Sequence, residues 1–371
     1  MRKIKNALLI QSFHSFTDAI LYILIPLMMV ERKIDITTIG LVFAAVPFIF
    51  QLARMGFAAI SDMVGRRIFF ASHGALTSVT SAIFYFAKTP FHFLYGNTIQ
   101  AIRGSAFWSV NRAYVLDVSK EPRKDLVIMR TVGYIVWGIS SLIVGFLIVW
   151  FLYSGALLLV FIIGLIGILA AFGIKDEKNR KKFVRSALDN LDFRKRDKSF
   201  KKLILAFIVA GLSYGFIGGY IFPLFLNSAG FNVETIGILI GMQTVISGLF
   251  LYVYTKKGNL SKLLLYGGIL YAITLSILGF ANLPLVTIVF LLFGIGVGVT
   301  DGCYEGIFTL TVNRKSYASD IGLLLFGMNV ATSISQAAAG FLIQNFGFGI
   351  VFIISAAIFL IYSTWASKIL R

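Results

Sequence analysis

The hydrophobic residues of this chain fall into long runs, separated by short stretches that contain charged residues, proline or Gly-Asn. A helix needs about 20 mostly apolar residues to cross the bilayer core, which is about 30 Å thick, at about 1.5 Å per residue. Twelve runs meet this length. They cover about residues 7–30, 37–60, 68–88, 91–116, 126–151, 154–174, 203–228, 233–254, 261–281, 284–312, 320–345 and 347–367. The pattern predicts an all-α integral membrane protein with twelve transmembrane helices.

The connections between the runs predict the organisation of the chain. The first run is not a cleavable signal peptide, because it is long, lacks a small-residue cleavage pattern and precedes eleven further runs. Only one connection is long, and it follows the sixth run. We therefore expect an N-terminal six-helix bundle over residues 1–174, a cytoplasmic basic linker over 175–202 and a C-terminal six-helix bundle over 203–371.

Short sequence patterns recur in the two halves at a nearly constant displacement. Residues 38–41 read TIGL and residues 235–238 read TIGI, 197 positions later. Residues 145–148 and 340–343 both read GFLI, 195 positions apart. The preserved order and spacing predict two pseudo-symmetric bundles related by a parallel repeat, whose axis lies along the membrane normal.

Composition supports the membrane reading and explains the charge. The chain is 58% hydrophobic and 13% charged, whereas soluble domains are about 45–50% apolar and about 25% charged. Its formal net charge is +18, and 27 of the 34 Lys and Arg residues lie in the N-terminal tail, alternate loops, the central linker and the C-terminus. Basic residues are retained on the cytoplasmic side, so both termini are predicted to be cytoplasmic.

The distribution of Lys and Arg also limits which binding partners and which cellular location are expected. Nearly all the excess charge is a topology signal, with attraction to anionic membrane lipids, so a nucleic-acid partner is not expected. We expect a monomer with many spans in a prokaryotic plasma membrane. One cysteine and three histidines offer no metal site, and there is no P-loop. The chain is therefore expected to be no enzyme, to have no catalytic residues or cofactor, and to draw on an ion gradient or its substrate's own gradient.

The loop between the second and third runs carries a recognisable motif. Residues 58–67 read AAISDMVGRR. This resembles the cytoplasmic signature of the major facilitator superfamily, GxxxD(R/K)xG(R/K)(R/K), with Ala58 and Met63 departing from it. The matching positions are Asp62, Gly65, Arg66 and Arg67. Together with twelve runs, the six-plus-six division and the basic linker, the resemblance extends over the whole chain.

The resemblance implies a fold and a gate. The fold is two six-helix bundles that rock about a cavity lined by the first, fourth, seventh and tenth helices. At the gate, Asp62 would face the start of the eleventh helix and Arg66 would reach Asp117, which locks the cytoplasmic side when the outer side is open. A tight turn at Gly65 would place the charges at the membrane surface. Arg112 is expected to anchor Asp62 or Asp117.

Charges inside the runs are candidates for function, because a charge at a helix centre costs about 2.5–3.5 kcal/mol on insertion scales. His14 and Asp18 lie four residues apart on one helical face, as do Asp301 and Glu305. Two carboxylates on one face in a low dielectric do not ionise together easily, so one would take a proton or a cation. Arg103 is their expected counter-charge. The alternative for each group is a static ion pair.

Further polar residues inside the runs extend the candidate set. Arg54 either anchors the gate or faces substrate. Gln100 stands where the family's arginine in the fourth helix would stand, so Arg103 is not that residue. Neutral groups also bind helices together as readily as they bind ligands. The remaining candidates are Gln243, Tyr304, Asn329 and Gln336.

These observations predict a secondary active transporter that works by alternating access and couples a small polar or anionic solute to protons or another ion. The alternative is proton-driven efflux of amphipathic, drug-like compounds. The fifth run lacks the Gly-Pro pair typical of the family's drug antiporters, which counts against it. A receptor or assembly factor on a transporter-like body would be expected to have a soluble module, and no segment is left for one.

Overall fold

The computed structural model describes residues 4–119, 121–174, 197–255, 259–311 and 317–370, which form helices joined by short turns. The helices are α1 (Lys5–Glu31), α2 (Ile36–Val64), α3 (Arg67–Phe86), α4 (Pro90–Val118), α5 (Pro122–Ala171), α6 (Lys198–Gly215), α7 (Ile221–Ser228), α8 (Val233–Thr255), α9 (Leu260–Leu278), α10 (Leu283–Thr311), α11 (Tyr317–Phe346) and α12 (Phe348–Ile369). Within these ranges the protein is all-α.

The helices account for twelve membrane crossings. In the described part of the chain, nine stretches are long and apolar enough to span a membrane. At 50 residues, α5 would be about 75 Å long, more than twice the bilayer core. A kink at Leu152, with φ 58° and ψ 177°, divides it into two crossings. Polar residues lower the hydropathy of α4, but its 29 residues suffice to cross. The predicted fold class is confirmed.

The seventh crossing differs from the uninterrupted helix that the sequence predicts. It consists of α6 and α7, which are separated by turns over residues 216–220. Gly219 adopts φ 66°, a conformation that is readily accessible only to glycine. Consecutive glycines at 218 and 219 therefore break the helix inside an otherwise apolar run.

We call α1–α5 the first half and α6–α12 the second half. Within the first half, α2 packs on α4, α3 on α4, and α1 on α5. The corresponding pairs of the second half are α8 with α10, α9 with α10, and α6 with α11. The two halves meet through α2 against α11 and α5 against α8, which are also equivalent under the repeat. Helix packing thus follows the pseudo-symmetry that the sequence predicts.

The bundle has two ends, because successive crossings reverse direction. The end that bears the start of α1 and the end of α12 is called the terminal face, and the opposite end the far face. At the far face, α2 and α8 begin with equivalent caps. Asp35 accepts a hydrogen bond from the backbone N of Thr38 at 2.9 Å, and Asn232 accepts one from the backbone N of Thr235 at 2.9 Å. The repeat therefore extends to the residues that start these helices.

Only the first of these two caps responds to pH. Hydrogen bonds from the Thr38 side chain and backbone lower the pKa of Asp35 below its ordinary value. A carboxyl group with a lowered pKa stabilises the folded state above about pH 4, and the contribution is lost as the pH falls through the folded-state pKa. Asn232 has no ionisable group, so its cap does not titrate.

Glycines of the repeated patterns bring the halves together near the far face. A Cβ atom on Gly40 would lie 2.8 Å from Cα of Gly340, and one on Gly145 would lie 2.4 Å from Cα of Glu234. A Cβ atom on Gly237 would lie 3.1 Å from the backbone N of Gly145. Small residues let helix backbones approach closely in a membrane. Both repeated motifs therefore lie at contacts between the halves.

We expect Gly40→Val to push α2 away from α11. Overpacking a close contact costs about 1–3 kcal/mol, so the thermal midpoint in detergent should fall. Gly56→Val is the matched control in the same helix, because no atom lies within 4 Å of a Cβ there. A cysteine pair replacing Thr37 and Gln344, whose side chains lie 2.6 Å apart, should crosslink less in the Gly40 variant. Equal midpoints and crosslinking yields for the two variants would contradict the close contact.

Candidate functional site

A cavity of about 320 Å³ lies within the membrane-spanning region, between α1, α4, α5 and α8. Its wall is formed by Gln11, His14, Ser15, Asp18, Tyr22, Trp108, Arg130, Gly133, Tyr134, Trp137 and Thr244. All but Thr244 belong to the first half. The lining differs from the first, fourth, seventh and tenth helices that the resemblance implies, because α5 and α8 supply lining residues, whereas the described residues of the seventh and tenth crossings supply none.

Behind one wall of the cavity, a buried arginine joins three helices. Arg103 of α4 is only 1% exposed and donates to the carboxylate of Asp18 on α1, whose side chain is 30% exposed. The same guanidinium lies 3.1 Å from Oγ1 of Thr17 and 3.5 Å from Oγ1 of Thr77 on α3. A buried cation requires an anion and further hydrogen bonds. Asp18 thus compensates Arg103 and also faces the cavity.

Two histidines extend this network. Nε2 of His14 lies 3.4 Å from Oδ2 of Asp18, and Nδ1 of His14 lies 3.0 Å from Nε2 of His73. If the His14 Nε2–H faces the carboxylate, its Nδ1 accepts a hydrogen bond from His73, and both imidazoles are neutral. The resulting chain runs from His73 through His14 to Asp18. Protonation of His14 at Nδ1 would reverse its hydrogen bond with His73, whereas protonation of His73 at Nδ1 would leave both hydrogen bonds in place.

A second network contacts the opposite wall. Asp301 of α10 accepts a hydrogen bond from the hydroxyl of Tyr134, and its Oδ2 lies 3.5 Å from Nη2 of Arg130. The hydroxyl of Tyr214 on α6 lies 3.4 Å from its Oδ1. Arg130 and Tyr134 belong to α5, in the first half. The carboxylate of the second half is therefore compensated by a cation from the other half.

The two networks occupy equivalent positions with opposite charge. Thr17 contacts Arg103 in the first half, and Tyr214, 197 positions later, contacts Asp301 in the second half. The sequence predicts that Arg103 and Asp301 lie at similar depth in the two halves and face each other. In the structure Arg103 pairs with Asp18, while Arg130 pairs with Asp301.

Aromatic rings surround Arg130 where it enters the cavity wall. Its side chain is 31% exposed. Its guanidinium carbon lies 5.5 Å from the ring centre of Trp108 and 5.1 Å from that of Tyr134, within the range of cation–π interaction. One helical turn further along, Trp137 makes an edge contact with Tyr22 at 5.1 Å. The described cavity wall therefore places one guanidinium beside four Trp and Tyr rings, with hydrogen-bonding groups and the Asp18 carboxylate in the rest of the wall.

The neutral candidates lie away from the cavity wall. Asn329 donates to Gln51 Oε1 at 2.9 Å, which joins α11 to α2 across the halves. Gln243 donates to Ser247 within α8 at 3.2 Å. Gln336 accepts at its backbone O from Tyr220 at 3.0 Å. These three candidates take part in contacts between and within helices.

Three further candidates in the spans, Tyr304, Arg54 and Gln100, are also not part of the wall. Tyr304 donates to the sulfur of Met328 at 2.8 Å. Arg54 lies 5.9 Å from the ring centre of Phe50. Gln100 is half-buried on α4. The side chain of Glu305 lies outside the residues that the structure describes.

The gate motif is described in part. Gly65, at φ 99°, makes the turn between α2 and α3. Nε of Arg66 lies 3.4 Å from Oδ2 of Asp117, which is the contact that the resemblance implies. Both residues belong to the first half, so this pair alone does not join the halves. The side chain of Asp62 lies outside the described residues.

The two remaining arginines of the gate region contact aromatic rings. The guanidinium of Arg67 lies 4.6 Å from the ring centre of Phe172, and that of Arg112 lies 5.9 Å from Trp108. Arg103 and Arg112 are nine residues apart on α4, which places them on opposite faces of the helix.

Sequence reasoning missed most of the cavity wall. The candidates selected from the sequence do not include Arg130, Tyr134 or Trp137 of this wall. A signal exists, since spacings of four and three place these side chains on one face of α5. Their contact with Asp301 depends on how α5 packs against the second half, which periodicity does not contain. The pairing of His14 with His73 likewise requires the packing of α1 on α3.

Comparisons with known proteins agree on the family. The sequence model described as Major Facilitator Superfamily matches residues 7–260 and residues 203–369. The fold is similar to the crystal structure of the human organic anion transporter MFSD10 (TETRAN), with a TM-score of 0.76 and 14% identity over 100% of this chain and 99% of that one. A mutant of the nucleoside transporter NupG is also similar, with a TM-score of 0.79 and 14% identity over 98% of each chain. No curated protein sequence matches the chain.

We expect Asp18→Asn to destabilise the protein strongly, because it leaves the buried guanidinium of Arg103 without an anion. Breaking a buried pair costs about 3–5 kcal/mol, whereas exposed pairs contribute about 0–1 kcal/mol. Asp117→Asn is the matched control, since Asp117 is 45% exposed and also pairs with an arginine. The thermal midpoints of the two variants in detergent measure the two losses of stability. Adding Arg103→Gln to Asp18→Asn should recover part of the loss, and equal midpoints for the two single variants would contradict the pairing.

Proposed function

The chain belongs to the major facilitator superfamily and is a membrane transporter rather than an enzyme, and on that premise we propose that it couples the movement of a small organic anion to protons. Transport would proceed by alternating access of the cavity to the two sides. The observation that carries the proposal is the Arg130–Asp301 ion pair, which joins the two halves at the cavity wall.

This ion pair gives a physical route to coupling. An anion that binds Arg130 competes with Asp301 for the same guanidinium. A proton on Asp301 removes the competing charge, so protonation and anion binding favour each other. Such coupling is reciprocal and typically amounts to about 1–3 kcal/mol between two sites. A proton and an anion would therefore bind together, which is the requirement for symport.

The contacts between the halves support alternating access. The contacts of Gly40 with Gly340 and of Gly145 with Glu234 bring the halves together near the far face. Opening toward that face requires these contacts to separate. Among the described turns and helix ends, the terminal face carries more Lys and Arg residues than the far face, so the positive-inside rule supports a cytoplasmic position for it and for both termini. We propose the plasma membrane as the location.

We propose that the network around Asp18 modulates anion binding at the Arg130–Asp301 pair. Asp18 faces the cavity but is held by Arg103 and His14. A proton taken by His14 or by Asp18 would weaken that network and change the charge at the cavity wall. We retain Glu305 as a coupling candidate from its place on α10, one helical turn after Asp301.

Efflux of amphipathic compounds remains the second candidate, and the aromatic wall favours it. Trp108, Trp137, Tyr22 and Tyr134 would also bind an apolar cation. The anion proposal has more support because both carboxylates near the cavity are already paired with arginines. Among the structural neighbours, MFSD10 is an organic anion transporter and NupG a nucleoside transporter, which supports an organic solute without identifying it.

Uptake into proteoliposomes tests the proposal, with a pH gradient and labelled succinate, benzoate and tetraphenylphosphonium as probes. We expect gradient-driven accumulation of a carboxylate. Asp301→Asn should abolish accumulation but retain exchange across the membrane, because asparagine imitates the protonated carboxyl yet carries no proton. Neutralising Asp18, Asp301 and Glu305 together should abolish gradient-driven uptake.

Glu31→Gln, at the exposed end of α1, is the matched control and should transport normally. Accumulation by Asp301→Asn equal to the unmodified protein would overturn the coupling role of Asp301. Movement of tetraphenylphosphonium with no carboxylate flux would support efflux instead.

A further inference from the structure

We infer that the cavity selects planar aromatic monocarboxylates, with the carboxylate on Arg130 and the ring between the aromatic side chains of α4 and α5. This inference rests on the proposed function and names the substrate class of the same site. Such ligands are expected to bind more tightly than aliphatic carboxylates of equal charge and than neutral aromatic compounds of equal shape.

The cation fixes the acidic group of the ligand. A guanidinium presents parallel N–H donors that match a carboxylate in two hydrogen bonds. The Nη2 of Arg130 is 3.5 Å from Asp301, a longer separation than the 2.7–2.9 Å that is typical of strong charged hydrogen bonds. An incoming carboxylate would therefore offer Arg130 shorter contacts than its 3.5 Å separation from Asp301.

The charge balance of the wall favours a single negative charge on the ligand. Arg130 is the cation among the lining residues, and Arg103 lies behind Asp18, which it neutralises. A dianion would face the carboxylate of Asp18 with no second cation in the wall. A cationic ligand would need Asp18, whose two oxygens are already engaged by Arg103 and His14.

The rings select the body of the ligand. Trp108 and Tyr134 flank Arg130, and Trp137 with Tyr22 continues the aromatic surface one turn away. At Gly133, between them on α5, a Cβ atom would lie 2.9 Å from Nε2 of Gln11. The absence of a side chain at Gly133 lets α5 approach Gln11 of α1 closely at this side of the cavity. An aromatic ligand that stacks on these side chains or meets them edge to face should bind about twofold to tenfold more tightly than a ligand with a saturated ring.

Volume limits the ligand to one or two rings. A cavity of about 320 Å³ corresponds to roughly ten waters at about 30 Å³ each and lies at the small end of ligand sites. Gln11, Ser15 and Thr244 add hydrogen-bonding groups to the wall. These groups suit a ring that carries a hydroxyl group or a nitrogen atom.

Ligand binding to the purified protein tests the inference separately from transport. Of the four tryptophans, Trp150 and Trp365 lie outside the cavity wall, so Trp150→Phe with Trp365→Phe leaves Trp108 and Trp137 as the fluorescent reporters. The probes are 4-hydroxyphenylacetate, cyclohexylacetate and 4-hydroxyphenylacetamide. We expect saturable quenching by the first, binding at least twofold weaker for the saturated acid, and binding about tenfold weaker for the amide.

Variants of Arg130 and of Trp137 test separately the preference for a charged ligand and the preference for an aromatic ligand. Arg130→Gln should remove the preference for the acid over the amide, whereas Arg130→Lys should keep it with weaker binding. Trp137→Leu should remove the preference for the aromatic over the saturated acid and keep the preference for charge, which thermal-shift titration with the same probes can measure. Trp150→Phe alone should change neither preference.

The outcomes distinguish this inference from the proposed function. Equal affinity for the aromatic and the saturated acid, or unchanged selectivity in Trp137→Leu, would overturn the inference. Uptake of an aliphatic carboxylate under a pH gradient with no aromatic preference would overturn it while leaving proton-coupled anion transport standing. Selective binding of the aromatic acid without gradient-driven uptake would instead contradict the proposed function.

Discussion

The constraint on which the interior depends is that a charge inside the hydrocarbon region needs an opposite charge within contact distance. Two arginines meet it in different ways. Arg103 pairs with Asp18 inside the first half, whereas Arg130 of the first half pairs with Asp301 of the second. The first pair stabilises one half by itself. The second makes the electrostatic balance of the cavity depend on how the halves are arranged, and so links charge to conformation.

This difference appears within a framework that is otherwise symmetric. Thr17 and Tyr214 contact the charged residue at equivalent positions of the two halves, but that residue is a cation in one half and an anion in the other. A duplicated fold thus has complementary interiors. The cavity is lined mainly by the first half because α5 supplies both the cation and the hydroxyl that reach Asp301.

Besides the Arg130–Asp301 ion pair, the halves are joined by close contacts between helix backbones. The repeated glycines at positions 40, 145, 237 and 340 lie where α2 meets α11 and where α5 meets α8. Glycine leaves no side chain to interlock, so these surfaces can approach closely, and only a few side-chain hydrogen bonds such as Thr37–Gln344 and Asn329–Gln51 must break when they separate. Such contacts suit a protein whose halves are proposed to rock, and they explain why the two sequence patterns survive in both halves.

The sequence by itself determined the all-α membrane fold, the crossings, the repeat and the charged residues that the interior would have to accommodate. These follow from local physics, since the length of an apolar run and the cost of a buried charge are properties of a segment. It also selected His14, Asp18, Arg103 and Asp301. Only the tertiary structure decided the partners: Arg103 with Asp18, Arg130 and Tyr134 with Asp301, and His73 with His14. The reason is geometric, because a helical period gives the face on which a side chain lies but not the helix that packs against that face.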